Sequence, residues 1–299
     1  MTPNLMPNMV FKRPQRGFTL VEMIVAIVLT AIIAGTLVLF IRRPVTSYLD
    51  SAGRAEMTDV ADLALRRMAR EIRLALPNSV RVNADGSAME FLLTKTGGRY
   101  LAVEDAATSG TPLDFANNLN LSFTVVGGLQ APLAASDYVV VYNLGPGFAP
   151  ADAYTFGQAQ TNIARVEAAA PGATEIVMKT NPFARSEPMP SPGSRFQIVS
   201  TPVTYRCESV GANMVLSRYA GYDIRPNITD AMSGAGKTSA TLARRLSACA
   251  GLFSYDVADV ELRRSALVLL ALSLHTRGGG DTGAGSIRLI HQVRVDNTP

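Results

Sequence analysis

From Phe18 to Ile41 the chain is apolar at almost every position, and Glu22 is the only charged residue in the run. The stretch is about two dozen residues, and about twenty helical residues cross a bilayer core. The pattern predicts a membrane-spanning helix. Pro44 follows shortly after and is expected to kink or briefly interrupt it. Helical spacing then resumes in a different form. Met57, Ala61, Ala64, Met68, Ile72 and Ala75 recur at three- and four-residue steps. Arg54, Asp59, Asp62, Arg66, Arg67, Arg70, Glu71 and Arg73 mark the polar side, with opposite charges at helical spacing. Pro77 is expected to close the helix. The second half therefore has one apolar stripe that needs a cover.

The remaining pattern is that of strands and turns. Val80–Val82, the turn Asn83-Ala84-Asp85-Gly86 and Met89–Leu93 read as a β-hairpin. Leu121–Val126, Tyr138–Tyr142, Glu175–Met178, Phe196–Val199 and Val203–Cys207 read as further strands. Gly211-Ala212-Asn213 turns the last of these back into Met214–Leu216. Ala266–Leu274 is read as a strand because a charged turn and a Gly-rich loop flank it. Ile287, Leu289, His291, Val293 and Val295 alternate with Arg288, Gln292 and Arg294, which predicts a half-buried strand. Residues 144–172, rich in Gly, Pro and Ala, read as a long surface loop. The expected fold class is α+β: a long amino-terminal helix packed on an antiparallel β-sheet body.

Glu22 is the residue that asks for a reason. A carboxylate inside a membrane helix costs roughly 2.5–3.5 kcal/mol on insertion scales. A plain anchor explains it locally, because Thr19 and Glu22 have the T-x-x-E spacing of a capping box. A secretory signal peptide is the other ordinary reading, with Lys12, Arg13 and Arg16 as its basic flank. Against it, the apolar core is long, and Ala34-Gly35-Thr36 is a poor cleavage site.

The leader Lys12–Gly17, then Phe18-Thr19-Leu20-Val21-Glu22 and an unbroken apolar helix, resembles the class III signal of type IV pilins and type II secretion pseudopilins. The resemblance implies cleavage by a prepilin peptidase between Gly17 and Phe18, and N-methylation of Phe18. It implies that Glu22 pairs with the α-amino group of a neighbouring subunit during assembly. Opposite charges that are costly alone in hydrocarbon become tolerable when paired. The family often has a proline within the membrane half of this helix, and none occurs here between Phe18 and Ile41. The segment Ala61–Pro77, the strand Val203–Glu208 with its return Leu216-Ser217-Arg218, and the ending His291–Asp296 resemble one branch, the large J-like minor pseudopilins. Within that branch they are most similar to the MshO-type biogenesis proteins of mannose-sensitive haemagglutinin (MSHA) pili.

Charge and cysteines adjust this picture. The net charge of +4 includes Lys12, Arg13 and Arg16, and losing those three charges with the leader leaves +1. A chain so near neutrality has no strong footprint for nucleic acid. Arg42, Arg43 and Arg54 beyond the apolar run nearly balance the leader, so the positive-inside rule does not decide orientation. The resemblance does, by implying a cytoplasmic amino terminus. Cys207 and Cys249 are the only cysteines. In a body outside the inner membrane they are a disulfide candidate, worth roughly 4 kcal/mol by chain entropy. Two buried free thiols are the alternative.

Catalytic and metal-binding readings find little support. Gly234-Ala235-Gly236-Lys237-Thr238 looks like the end of a P-loop, but Ala231 stands where the first glycine is required. His275 and His291 are the only histidines, and no nucleophile and base can be assembled around them. Asp281 within Gly278–Gly285 is thin ligation for a cation. No catalytic residue, cofactor, metal or small-molecule substrate is expected. The expected organisation is a leader at 1–17, a transmembrane and amphipathic helix at 18–77, and a periplasmic β-rich domain at 78–299. The expected function is a non-enzymatic minor pilin in the inner membrane, starting or capping a pilus with other minor and major pilin subunits. A type II secretion pseudopilin, and a tip adhesin or DNA-binding subunit on the same anchor, are the alternatives.

Overall fold

The computed structural model describes residues 17–105, 109–228, 232, 236–256, 265–275 and 285–299. Most of the expected leader, Gly234-Ala235 of the P-loop-like turn and Asp281 of the Gly-rich loop lie outside the described residues. The chain divides into two compact units, one up to Ala52 and one from Gly53 to Pro299. Helix α1 (Leu20–Ile72) runs through both, with Pro44 inside it. The expected interruption at Pro44 does not occur. A proline removes one N–H donor, and the turns on either side carry the helix past that single loss.

In the second unit the predicted stripe is buried. Met57, Ala61, Ala64, Met68 and Ile72 share a core with Met89, Phe91, Val203, Tyr205, Val268, Leu270, Val293 and Val295. Leu65 and Ala69 join them and widen the stripe. The helix stops at Ile72 rather than at Pro77. Sheet pairing takes over the backbone there: Leu76 N–H donates to Leu92 O at 2.8 Å and Thr94 N–H to Leu74 O at 2.8 Å. Ala75 is still buried, but as a bridge partner of Leu93.

The strands are β1 (Arg81–Val82), β2 (Ala88–Tyr100), β3 (Ser122–Val126), β4 (Tyr138–Val140), β5 (Ile163–Arg165) and β6 (Glu175–Val177). They continue with β7 (Arg195–Val210), β8 (Asn213–Ala220), β9 (Thr238–Arg244), β10 (Phe253–Asp256), β11 (Ser265–His275) and β12 (Ser286–Asp296). A nine-stranded sheet has the path β5-β4-β7-β2-β3-β6, with β1 on β2, and β8 and then β9 on β7. A three-stranded sheet has the order β10-β11-β12. Every pairing between these strands is antiparallel.

Strand β7 is the spine. The two expected strands Phe196–Val199 and Val203–Cys207 are one, because β2 pairs with both. On its other side β7 pairs with β4 up to Val199 and with β8 from Val203. Pro202 lies in the gap. Leu92 opposite it takes the Leu76 N–H and gives its own to Ser79 Oγ, so the proline nitrogen faces the gap, where no ladder partner is needed. The β2–β7 register skips Ser200 and then Lys95. A one-residue skip reverses which face each side chain takes. Val203 and Tyr205 accordingly face the helix core, whereas Phe196 and Ile198 enter a second core with Tyr100, Phe123, Ile176 and Phe183.

The stretch read as a surface loop is packed in part: 151–154 and 161–164 are buried, and 146–149 and 157–160 are exposed. It contains β5 and the 3-10 turn Ala153–Thr155. Tyr154 is buried, its hydroxyl donates to Ser79 O at 2.8 Å, and the Arg81 guanidinium sits 3.6 Å above its ring. Small residues let this segment lie close, and its elements are too short to show a period. Strands β9 and β10 were likewise not legible in the pattern.

Two further ties join elements far apart in sequence. Cys207 on β7 and Cys249, before β10, form a disulfide with Cα atoms 5.3 Å apart. In the hairpin turn, Gly86 has φ +69°, and a Cβ there would lie 2.6 Å from Phe253 O. The close approach is used, since Phe253 N–H donates to Gly86 O at 2.9 Å and Gly251 N–H to Asp85 O at 2.8 Å.

Glu90 is 3% exposed and fully partnered. Arg81 donates to Oε1 through Nε at 3.0 Å and Nη2 at 2.5 Å, while Thr204 and Tyr222 hydroxyls donate to Oε2 at 3.1 and 2.8 Å. Removing one partner of such a buried pair leaves the other charge without return. Glu90→Ala is expected to destabilise the fold by about 3–5 kcal/mol. Thermal or urea unfolding measures this, and Glu90→Gln, which keeps the shape, should cost less.

Burial raises the phenol pKa values of Tyr154, Tyr205 and Tyr222, with nearby Glu90 (Tyr154, Tyr222) or Glu71 (Tyr205) adding to it. A phenol ionises near pH 10 when unfolded. The stability from these groups is thus present below that value and lost as pH rises beyond it. Alkaline titration followed by phenolate absorbance and circular dichroism should show these phenols ionising together with unfolding.

Candidate assembly site at the amino terminus

The first unit holds the residues the class III signal singles out. Gly17 precedes the helix, and Phe18 is 82% exposed. Thr19 caps α1: its Oγ1 accepts from Glu22 N–H at 3.3 Å and its carbonyl from Met23 N–H at 3.1 Å. The Thr19 half of the expected capping box is therefore present. Glu22 lies in the first turn, where the positive end of the helix dipole favours a carboxylate.

The rest of the run needs nothing polar from outside. Thr30 Oγ1 donates to Ala26 O at 2.8 Å and Ile27 O at 2.9 Å, and Thr36 Oγ1 to Ile33 O at 2.9 Å. These back-bonds satisfy the hydroxyls within the helix. The side chains along this stretch, including Ile24, Ile27, Ile32, Ile33 and Leu37, are exposed. Among the described residues, α1 is the one helix long and apolar enough to cross a membrane. Glu22 has no ion-pair partner among the described residues. The arrangement is an apolar rod with one unanswered negative charge near its start.

Other residues singled out from the sequence fall elsewhere. Thr238 opens strand β9, whereas a phosphate-binding loop leads into a helix. Lys237 reaches over the Tyr219 ring at 5.5 Å. His291 is half-buried on β12 opposite Leu270 on β11, and His275 N–H donates to Arg245 O at 3.1 Å. The sequence pattern missed the polar anchor of α1. Glu71 accepts from Arg218 Nε at 2.7 Å and from the Tyr205 hydroxyl at 2.7 Å, which joins the last helical turn to β7 and β8. Its signal was its spacing, three residues past Met68 and four before Ala75, on the margin of the stripe.

Residues 12–38 match a family model described as the prokaryotic N-terminal methylation motif. The match spans Gly17, Phe18, Glu22 and most of the apolar run. No curated protein and no solved structure matches the chain significantly. The motif, an apolar helix long enough to cross a membrane and the antiparallel β body together fit a pilin-like or pseudopilin-like subunit.

Proposed function

We propose that this chain is a minor pilin made as a prepilin. A prepilin peptidase cuts between Gly17 and Phe18, Phe18 is N-methylated, and the first half of α1 holds the subunit in the inner membrane. Residues 18–77 are the anchoring and amphipathic helix, and residues 78–299 are the periplasmic domain. Glu22 carries the reading. It lies four residues past Phe18, about 6 Å along a helix axis. A neighbour offset by that rise brings its new α-amino group beside Glu22, and the pair removes the cost of a lone carboxylate in hydrocarbon.

The Cys207–Cys249 bond suits an oxidising periplasm. The body has twelve strands among the described residues, bulky for the shaft of a thin filament. Initiation or capping of a pilus is the role that tolerates such a head. The resemblance of its strands and ending to the large J-like minor pseudopilins favours the MshO type of MSHA-like pili.

Glu22→Gln keeps size and removes charge. It is expected to leave membrane insertion and cleavage intact and to abolish or sharply reduce piliation, read by electron microscopy and by sheared-pilus yield. Normal piliation in that variant would overturn the reading. Mass spectrometry of the membrane-extracted protein should find a chain starting at methylated Phe18, and retention of Met1 would count equally against it. Loss of pili with secretion unchanged in a deletion strain separates a pilus subunit from a secretion pseudopilin.

A further inference from the structure

Strands β1, β5, β6, β9, β10 and β12 each pair with one other strand among the described residues. Most of these edges are blunted. Strand β1 has two residues, β5 and β6 have three each and β10 has four. Strand β9 is longer, but its pairing with β8 is irregular at Leu216–Ser217. Short or bulged edges are poor templates for another chain. Strand β12 is the exception. It pairs with β11 from Ser286 to Asp296 without a register shift, and it contains no proline. Alternate residues of an antiparallel strand turn N–H and C=O to opposite sides. Every second residue of β12 therefore presents both groups to the open side.

The side chains of β12 specify what fits there. On the core face, Leu270, Leu272 and Leu274 of β11 are buried. Their cross-strand partners His291, Leu289 and Ile287 are only half-buried, so the helix core has an apolar rim left open at β12. On the outer face Ile290 is 57% exposed, between the exposed Arg288 and Arg294. Neither arginine has an ion-pair partner among the described residues. Arg288 stands opposite Ser273 and Arg294 opposite Leu267. Asp296, the next residue on that face, accepts Thr298 N–H at 2.9 Å, and Asp256 is two strands from Arg294, on β10.

We propose that the open edge of β12 takes an extended segment of another polypeptide as a further antiparallel strand. That segment turns apolar side chains toward Ile287, Leu289 and His291, and acidic ones toward Arg288 and Arg294. Backbone hydrogen bonds hold it, and the alternate side chains select it. Opposite charges directly across a strand pair stabilise the pairing, and like charges oppose it. The surface goes beyond the filament role and does not depend on Glu22.

The test uses the full chain in detergent and two blocked, fluorescently labelled peptides, EVTVVIE and KVTVVIK. Laid antiparallel on β12, the first sets its glutamates opposite Arg294 and Arg288 and its Val, Val and Ile opposite Val293, His291 and Leu289. Anisotropy is expected to show EVTVVIE binding about tenfold or more tightly than KVTVVIK, since two cross-strand pairs change from opposite to like charge. Hydrogen exchange should show bound EVTVVIE protecting amides of 286–296. Arg288→Glu combined with Arg294→Glu, both at exposed positions, should reverse the preference with the melting temperature nearly unchanged. Each single substitution should narrow it, which keeps the test open if the double variant fails to fold. The proposal is overturned if EVTVVIE does not bind, if KVTVVIK binds as well, if protection falls outside β12, or if the charge reversals leave the preference as it was. A chain that is already dimeric in detergent, with the β12 edge protected, overturns it in favour of a second copy.

Discussion

Burial of one stripe on the second half of α1 holds the body together. Met57, Ala61, Ala64, Met68 and Ile72 contact a core drawn from β2, β7 and β8 of the large sheet and from β11 and β12 of the small one. Each large apolar side chain removed from water contributes about 1.5–3 kcal/mol. Small residues at Ala61, Ala64 and Ala69 let the helix backbone approach closely. Glu71 then fixes its rotation, because Arg218 and Tyr205 reach it only when the stripe faces inward.

The second core depends on the first through β7. That strand changes partners at Ser200–Pro202 and changes face at the same place. The proline and the skipped residue are therefore one device. They let a single strand close two cores of opposite facing without a break in its pairing to β2. The disulfide and the Gly86 contact with Phe253 fasten the far end of the chain to the same spine.

The first half of α1 obeys the opposite rule. Its hydroxyls are answered inside the helix and its apolar side chains are exposed all round. Such a segment suits a lipid environment. Glu22, in its first turn, has no ion-pair partner among the described residues.

The sequence by itself determined the apolar anchor, the Gly17–Glu22 signal, the amphipathic stripe and the β character of the body. These are local: each shows as a run, a motif or a period in neighbouring residues. It also determined the Ala266–Leu274 strand, where flanking turns resolved a pattern that fits helix or strand. Tertiary structure decided the rest. The helix ends at Ile72 because Leu76 and Leu74 find partners on β2. Residues 151–154 are packed because Tyr154 meets Arg81 and Ser79. Glu90 and Glu71 read only as charges until Thr204 and Tyr222, and Tyr205 and Arg218, each more than a hundred residues away, give them their roles. Periodicity records which side of an element is apolar. It holds no information on which distant element will meet that side.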